Sequence, residues 1–149
     1  MIAGEGPERE ALTGLARGEG VSDREHMPGW VQDSGPWLKA CDLLVCPSRI
    51  EPLGNVVIEA LSAARPVVAS AIQGPEEVLA GTQDGLLAPT EDPEGFAREI
   101  AAVLETPALA ASLCVNGRAR FEREFAAPVV LARWDDFLHA LTSRHSGER

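Results

Sequence analysis

The sequence predicts an α/β fold: a parallel sheet with helices on both faces, followed by helices alone. Two observations predict it. Short apolar runs alternate with helix-period segments as far as Pro93, and those runs are too short and too uniformly apolar to be amphipathic, which is how strands buried on both faces read. After Pro107 the helical period continues with no further strand-like run.

Taken in chain order, residues 1–4 read as the tail of a strand and 7–18 as a helix with Pro7 near its first position, where a missing N–H is tolerated. Residues 26–28 form a short strand, 35–40 a short helix and 42–46 a strand carried by Leu43, Leu44 and Val45. A helix at 55–64 follows the breaker Gly54. It leads into a strand at 66–70, a helix at 75–80, a strand at 85–88 and a helix opening at Pro93. Two helices close the chain, at 108–125 and 127–143. In the last, Val130, Trp134, Phe137, Leu138 and Leu141 recur at i, i+4, i+7, i+8 and i+11, a stripe that must be covered. It is expected to dock on the sheet as ordinary core, the alternative being a surface made for another domain. Residues 1–143 are expected as one domain, with 144–149 a frayed polar tail.

Composition narrows the function classes. A formal net charge of -10 over 149 residues argues against nucleic acid or an anionic membrane as the main partner. An anionic ligand would have to be held by local geometry. No apolar run is long enough for a transmembrane segment and no signal sequence opens the chain, so a cytoplasmic location is expected. Cys41, Cys46 and Cys114 lack metal-ligand spacing and read as reduced packing residues, and the three histidines form no HxxH or HExxH pattern. No metal and no cofactor is expected.

The most informative stretch is E-P-L-G-N-V-V-I-E, from Glu51 to Glu59. Pro52 and Gly54 punctuate a turn, and the following apolar run starts a helix whose free N–H groups point back at the loop. Those donors and the positive end of the helix dipole favour a phosphate, and Gly54 has no side chain to keep it away. The loop leaves the strand at 42–46 by its carboxyl end, where open α/β sheets bind ligands. Glu59 stands among Val57, Ile58, Ala60 and Leu61, where a carboxylate needs hydroxyl or N–H partners or an outlet to water. A plainer reading also fits: Ser48 to Glu51 matches the S-x-x-E capping box, with Glu51 reaching back to a helix start and Glu59 on a wet face.

Read together, these blocks resemble the donor-binding C-terminal half of retaining glycosyltransferases with the GT-B fold, the family that includes sucrose and glycogen synthases and many bacterial envelope enzymes. The match is collinear: I-A-G-E-G-P-E at 2–8, P-G-W-V at 28–31, D-L-L-V-C-P-S at 42–48, the E-x7-E motif of Glu51 and Glu59, E-A-L-S-A-A-R-P-V-V-A-S at 59–70, G-P-E-E-V at 74–78 and D-G-L-L-A-P at 84–89. The resemblance implies a Rossmann-like sheet and transfer of a glycosyl group from a nucleoside diphosphate sugar, with retention and without a protein-bound metal. It implies that Glu51 contacts the donor sugar in a catalytic role, that Glu59 holds the ribose hydroxyls, and that the backbone of Gly54, Asn55 and Val56 binds the diphosphate. The segment at Trp30 and Val31 would lie near the base. The G-N-V-V-I-E-A and Q-G-P-E-E segments look more like lipopolysaccharide-type enzymes, which would place the working enzyme on the cytoplasmic side of the inner membrane as a peripheral protein.

The departures from the family pattern carry expectations of their own. The chain begins at what matches the family's second strand, so the first strand and helix, with an arginine and a lysine that clamp the diphosphate, are expected to be missing. Arg49 is the nearest cation to the loop and a candidate for donor binding. Arg65 stands where the family usually has glycine followed by a variable residue. The chain is therefore expected to be inactive alone, with an N-terminal acceptor domain or a partner chain completing it. A non-catalytic interaction or regulatory module keeping the nucleotide fold is the alternative. A sugar-nucleotide epimerase shares the fold but needs an acid and base from both domains.

Overall fold

The computed structural model describes residues 1–79, 81 and 83–146, with side chains to residue 143. The chain divides into two compact units, Met1–Pro36 and Trp37–Arg149.

The N-terminal unit holds α1 (Arg9–Gly18) and a pair of extended segments. Ile2 N–H donates to the His26 carbonyl and Gly4 N–H to the Gly29 carbonyl, each at 2.8 Å. Only one residue pair, Ala3 and Gly29, meets as a parallel bridge, so the strands expected at 1–4 and 26–28 reduce to that bridge. The reason is local. Gly4 and Gly29 have φ of 132° and 84°, off the extended path, and Pro28 has no N–H to continue a ladder. The Arg9 guanidinium donates to the Met27 carbonyl at 2.7 Å, and α1 begins at Arg9 because Pro7 and Glu8 form a turn.

Helix α2 (Gly35–Ala40) leads into the C-terminal unit, whose elements are β1 (Leu44–Cys46), α3 (Asn55–Ser62), β2 (Val67–Ser70), α4 (Gln73–Leu79), β3 (Leu86–Ala88), α5 (Pro93–Glu105), α6 (Pro107–Arg120), a π-helical turn at Phe121–Phe125 and α7 (Ala127–Ser146). The strands form a parallel sheet in the order β1-β2-β3, with Val45 opposite Val68 and Ala69 opposite Leu87. Alternation along the strands assigns the faces. Leu44, Cys46, Val67, Ala69 and Leu87 pack with Val57, Ala60 and Leu61 of α3 and Val78 and Leu79 of α4. Val68, Leu86 and Ala88 face the other way, onto Phe96, Ile100 and Val103 of α5 and Leu113 of α6. All four residues of β2 are buried, as a central strand requires. Asp92 caps α5 by accepting from the Gly95 N–H at 2.9 Å, with Pro93 at the first turn.

Two expectations for the C-terminal helices are corrected. The helix expected over 108–125 ends at Arg120 and continues as the π-turn, where Arg120 pairs with Asp84 (3.7 Å) and Glu124 (3.2 Å) and lies over the Phe125 ring. The stripe on α7 does not dock on the sheet. Trp134, Phe137, Leu138 and Leu141 are exposed, and α7 packs on the π-turn, from which the extended residue Ala126 separates it. α7 runs to Ser146, beyond the expected end at 143, and 147–149 lie outside the described residues, as does Ala80, the expected end of α4. Among the described residues no single helix is long and apolar enough to cross a membrane.

Candidate functional site

The loop between β1 and α3 is closed by its own carboxylate. Glu51 Oε1 accepts the Gly54 N–H at 3.0 Å, and the Glu51 carbonyl accepts the Gly74 N–H at 3.2 Å. Gly54 takes the left-handed conformation (φ 79°, ψ 37°) as N-cap of α3, which is where a residue without Cβ is needed. The capping-box reading therefore does not hold: the helix starts at Asn55, seven residues past Ser48, and Glu51 serves the turn ahead of it. The Gly54 carbonyl then accepts from both Val57 and Ile58, at 3.0 and 3.1 Å. The N–H groups of Asn55 and Val56 make no backbone hydrogen bond among the described residues. They are the donors of a helix start sitting beside the carboxyl end of β1, an arrangement that suits an anion.

A second glycine makes this loop possible, and reading the sequence assigned it no role. A Cβ on Gly74 would lie 2.2 Å from the Glu51 carbonyl oxygen, 2.9 Å from the Leu53 nitrogen and 3.0 Å from the Gly54 nitrogen. A Cβ on Gly54 would in turn touch Gly74 and Val78 at 3.4 Å. The loop thus rests backbone to backbone on the start of α4. The signal was present in Q-G-P-E-E, a glycine just after a strand and just before a helix proline, but its partner lies twenty residues back in the chain.

Glu59 lies one turn along α3 from Asn55, on the exposed side, while Val57, Ala60 and Leu61 face the core. Glu51, Gly54, Asn55, Val56 and Glu59 are therefore one continuous loop and helix. Arg49 belongs to the same loop, but its guanidinium pairs with Glu91 at 3.0 Å, on the α5 side of the sheet, at the rim of an open groove of about 560 Å³ floored by Val45, Pro47, Phe96, Ala97 and Ile100. Glu91 reaches it from a left-handed position, φ 59°. Trp30 and Val31 belong to the N-terminal unit, Trp30 exposed and Val31 half-buried. Arg65 is half-buried, and the residue in the left-handed conformation that a glycine would suit is its neighbour Ala64, φ 53°. No group of three or more metal-ligating side chains occurs among the described residues.

Comparison with known proteins gives this geometry a context. The family model described as glycosyl transferases group 1 matches residues 1–106. Lipopolysaccharide core biosynthesis glycosyltransferase LpsE of Rhizobium meliloti is 34% identical over 143 residues, covering 96% of this chain and 41% of that protein. LpsD of the same organism is 34% identical over 129 residues, covering 87% and 38%. The chain thus spans about two fifths of the length of these curated relatives. Among solved structures, sucrose-phosphate synthase from Thermosynechococcus elongatus superposes with a TM-score of 0.84 at 31% identity, over 93% of this chain and 35% of that one. Anabaena HepE in complex with UDP superposes with a TM-score of 0.85 at 24% identity, over 93% and 40%, a likeness of fold.

Proposed function

Because the chain belongs to the group 1 glycosyl transferases, we propose that it is the donor-binding half of a glycosyltransferase and that a nucleoside diphosphate sugar is held at the Glu51–Gly54 loop and the first turn of α3. The observation that carries this is the pair of amides at Asn55 and Val56, presented behind a left-handed glycine at the carboxyl end of β1. The diphosphate accepts from these amides. Glu59, four residues on, is about 6 Å further along the helix axis, the spacing of a ribose from its diphosphate, and its carboxylate accepts from the ribose hydroxyls. Glu51 is fixed by the Gly54 N–H, and a carboxylate has acceptor capacity for more than that one bond. It meets the donor sugar.

The reaction is transfer of the glycosyl group with retention and without a protein-bound metal. Catalysis rests on positioning and on stabilising the departing diphosphate. Arg49, held by Glu91, is the nearest cation on the loop and supplies one charge when it swings from that carboxylate. The likeness to LpsE and LpsD supports an acceptor of the lipopolysaccharide or envelope polysaccharide class, used at the cytoplasmic face of a membrane. The same fold accommodates UDP in HepE. Turnover requires the acceptor domain, from the remaining length that relatives possess or from a partner chain, and the 149-residue chain binds donor without transferring it.

The test is calorimetric titration of UDP, GDP and ADP into the chain and into Glu59→Ala. One nucleotide binds, and the substitution weakens it by about 1–3 kcal/mol, the cost of removing a charged hydrogen-bond partner. Binding that ignores Glu59 would contradict the assignment. It would favour the second reading, an interaction module, which the exposed apolar face of α7 supports.

A further inference from the structure

We propose that Glu91 is a latch on the donor site: its carboxylate holds Arg49 away from the amides that open α3 until a diphosphate draws the guanidinium off, so that Glu91 sets how tightly the site takes its ligand. This rests on the donor-binding reading above. Arg49 stands three residues beyond β1 and Glu91 three residues beyond β3, with β2 between the two strands. The strands are parallel, so both residues leave the sheet by its carboxyl edge, and Arg49 Nε meets Glu91 Oε1 there at 3.0 Å. Among the described residues neither side chain has a second ion pair.

Two observations set this pair apart from an incidental surface contact. The first is in the backbone. Among the described residues the non-glycine positions at positive φ are Ala64 and Glu91, at 53° and 59°. Ala64 follows the end of α3, where the left-handed conformation is customary. Glu91 lies in the turn between β3 and α5, where a glycine would take that conformation without strain. The chain keeps a long acidic side chain at that position, and the ion pair is what the side chain does there. The second observation is the choice of partner. Glu51 is two residues from Arg49, but its Oε1 is taken up by the Gly54 N–H at 3.0 Å. The loop keeps its own carboxylate for its turn and hands its cation to the far side of β2.

The strength of the pair suits a reversible hold. The Arg49 and Glu91 side chains are 79% and 67% exposed, so water and salt screen them and the contact is weak. A diphosphate on the Asn55 and Val56 amides presents more negative charge than one carboxylate, and a guanidinium meets phosphate oxygens in a bidentate, charge-assisted geometry. It therefore wins the arginine from Glu91. Each binding event loses the Glu91 pair, which leaves the affinity below what the same site would have with a free arginine. When the ligand departs, Glu91 takes the guanidinium back.

Calorimetric titration of UDP at low salt into the full chain and its variants tests this. Glu91→Gln is expected to bind UDP about two- to fivefold more tightly, the worth of an exposed ion pair. Glu91→Gly, which also relieves the left-handed conformation, gives the same gain and melts no lower than the parent. Arg49→Ala binds more weakly than the parent, and adding Glu91→Gln to it changes nothing, because no guanidinium is left to release. Glu94→Gln, which removes an exposed carboxylate from the first turn of α5, leaves the affinity as it was. A UDP affinity that ignores Glu91, or a gain equally large in the Arg49→Ala background, would overturn the latch while the response of the Gly54, Asn55 and Val56 amides leaves the donor site standing. No binding of UDP by the parent or by Glu91→Gln would overturn the donor site and the latch with it.

Discussion

Helices α3 and α7 are both rich in apolar residues, yet the sheet buries one and not the other. α3 has eight residues and seats Val57, Ala60 and Leu61 with no exposure at all. α7 has twenty and leaves its largest side chains half in solvent. The difference is in how each helix is delivered. α3 is carried between two paired parallel strands, and its entry loop is drawn onto α4 by the close approach of Gly54 and Gly74. α7 follows a π-turn and an extended Ala126, past β3, the last strand among the described residues. Periodicity says that a face needs cover; only topology says which surface supplies it.

The largest effect is expected where backbone meets backbone. Gly74→Val places a side chain against three backbone atoms of the Glu51–Gly54 loop, none of which can rotate away. Denaturant unfolding should show a loss above about 4 kcal/mol, the range reserved for severe overpacking, and nucleotide binding should vanish with it. Leu61→Ala, at a fully buried site of α3, is expected to cost about 3 kcal/mol in the same assay, as a cavity in a close-packed core does. If either variant unfolds like the parent, the seating of α3 is looser than described.

The comparison is sharpened by changes expected to be mild or favourable. Ala64→Gly relieves a left-handed conformation at the C-terminal end of α3, where Arg65 N–H bonds back to the Ala60 carbonyl. It should stabilise by about 0.5–1 kcal/mol, the penalty on an L-residue less glycine's extra chain entropy. A melting temperature below the parent's would count against that assignment. Leu138→Ala on α7 should change stability by less than about 0.5 kcal/mol, since the side chain is already in water. A loss as large as that of Leu61→Ala would mean α7 is covered within one chain.

Much of this was legible in the residues themselves. The alternation of strands and helices follows from short apolar runs between breakers, and the bounds of α2 agree with expectation to the residue. Pro52, Gly54 and the apolar run after them marked the loop and helix start because their backbone preferences are local. What escaped was tertiary. Gly74 is needed only because Glu51 and Gly54 come to it from elsewhere, and the left-handed turn fell on Ala64, where no glycine announced it. The strands at 1–4 and 26–28 failed as ladders because Gly4, Pro28 and Gly29 interrupt the extended path at the point of pairing. At the start of the π-turn Arg120 gathers Asp84 and Glu124, residues far apart in sequence from one another.

The central claim is that the amides opening α3 form the anion site, and amide-resolved NMR of the chain titrated with UDP tests it most directly. The account predicts that the largest shifts fall on Gly54, Asn55 and Val56, with smaller ones along α3 to Glu59. Shifts centred instead on Val45, Phe96 and Ala97, or no shifts at all in a folded chain, would contradict it.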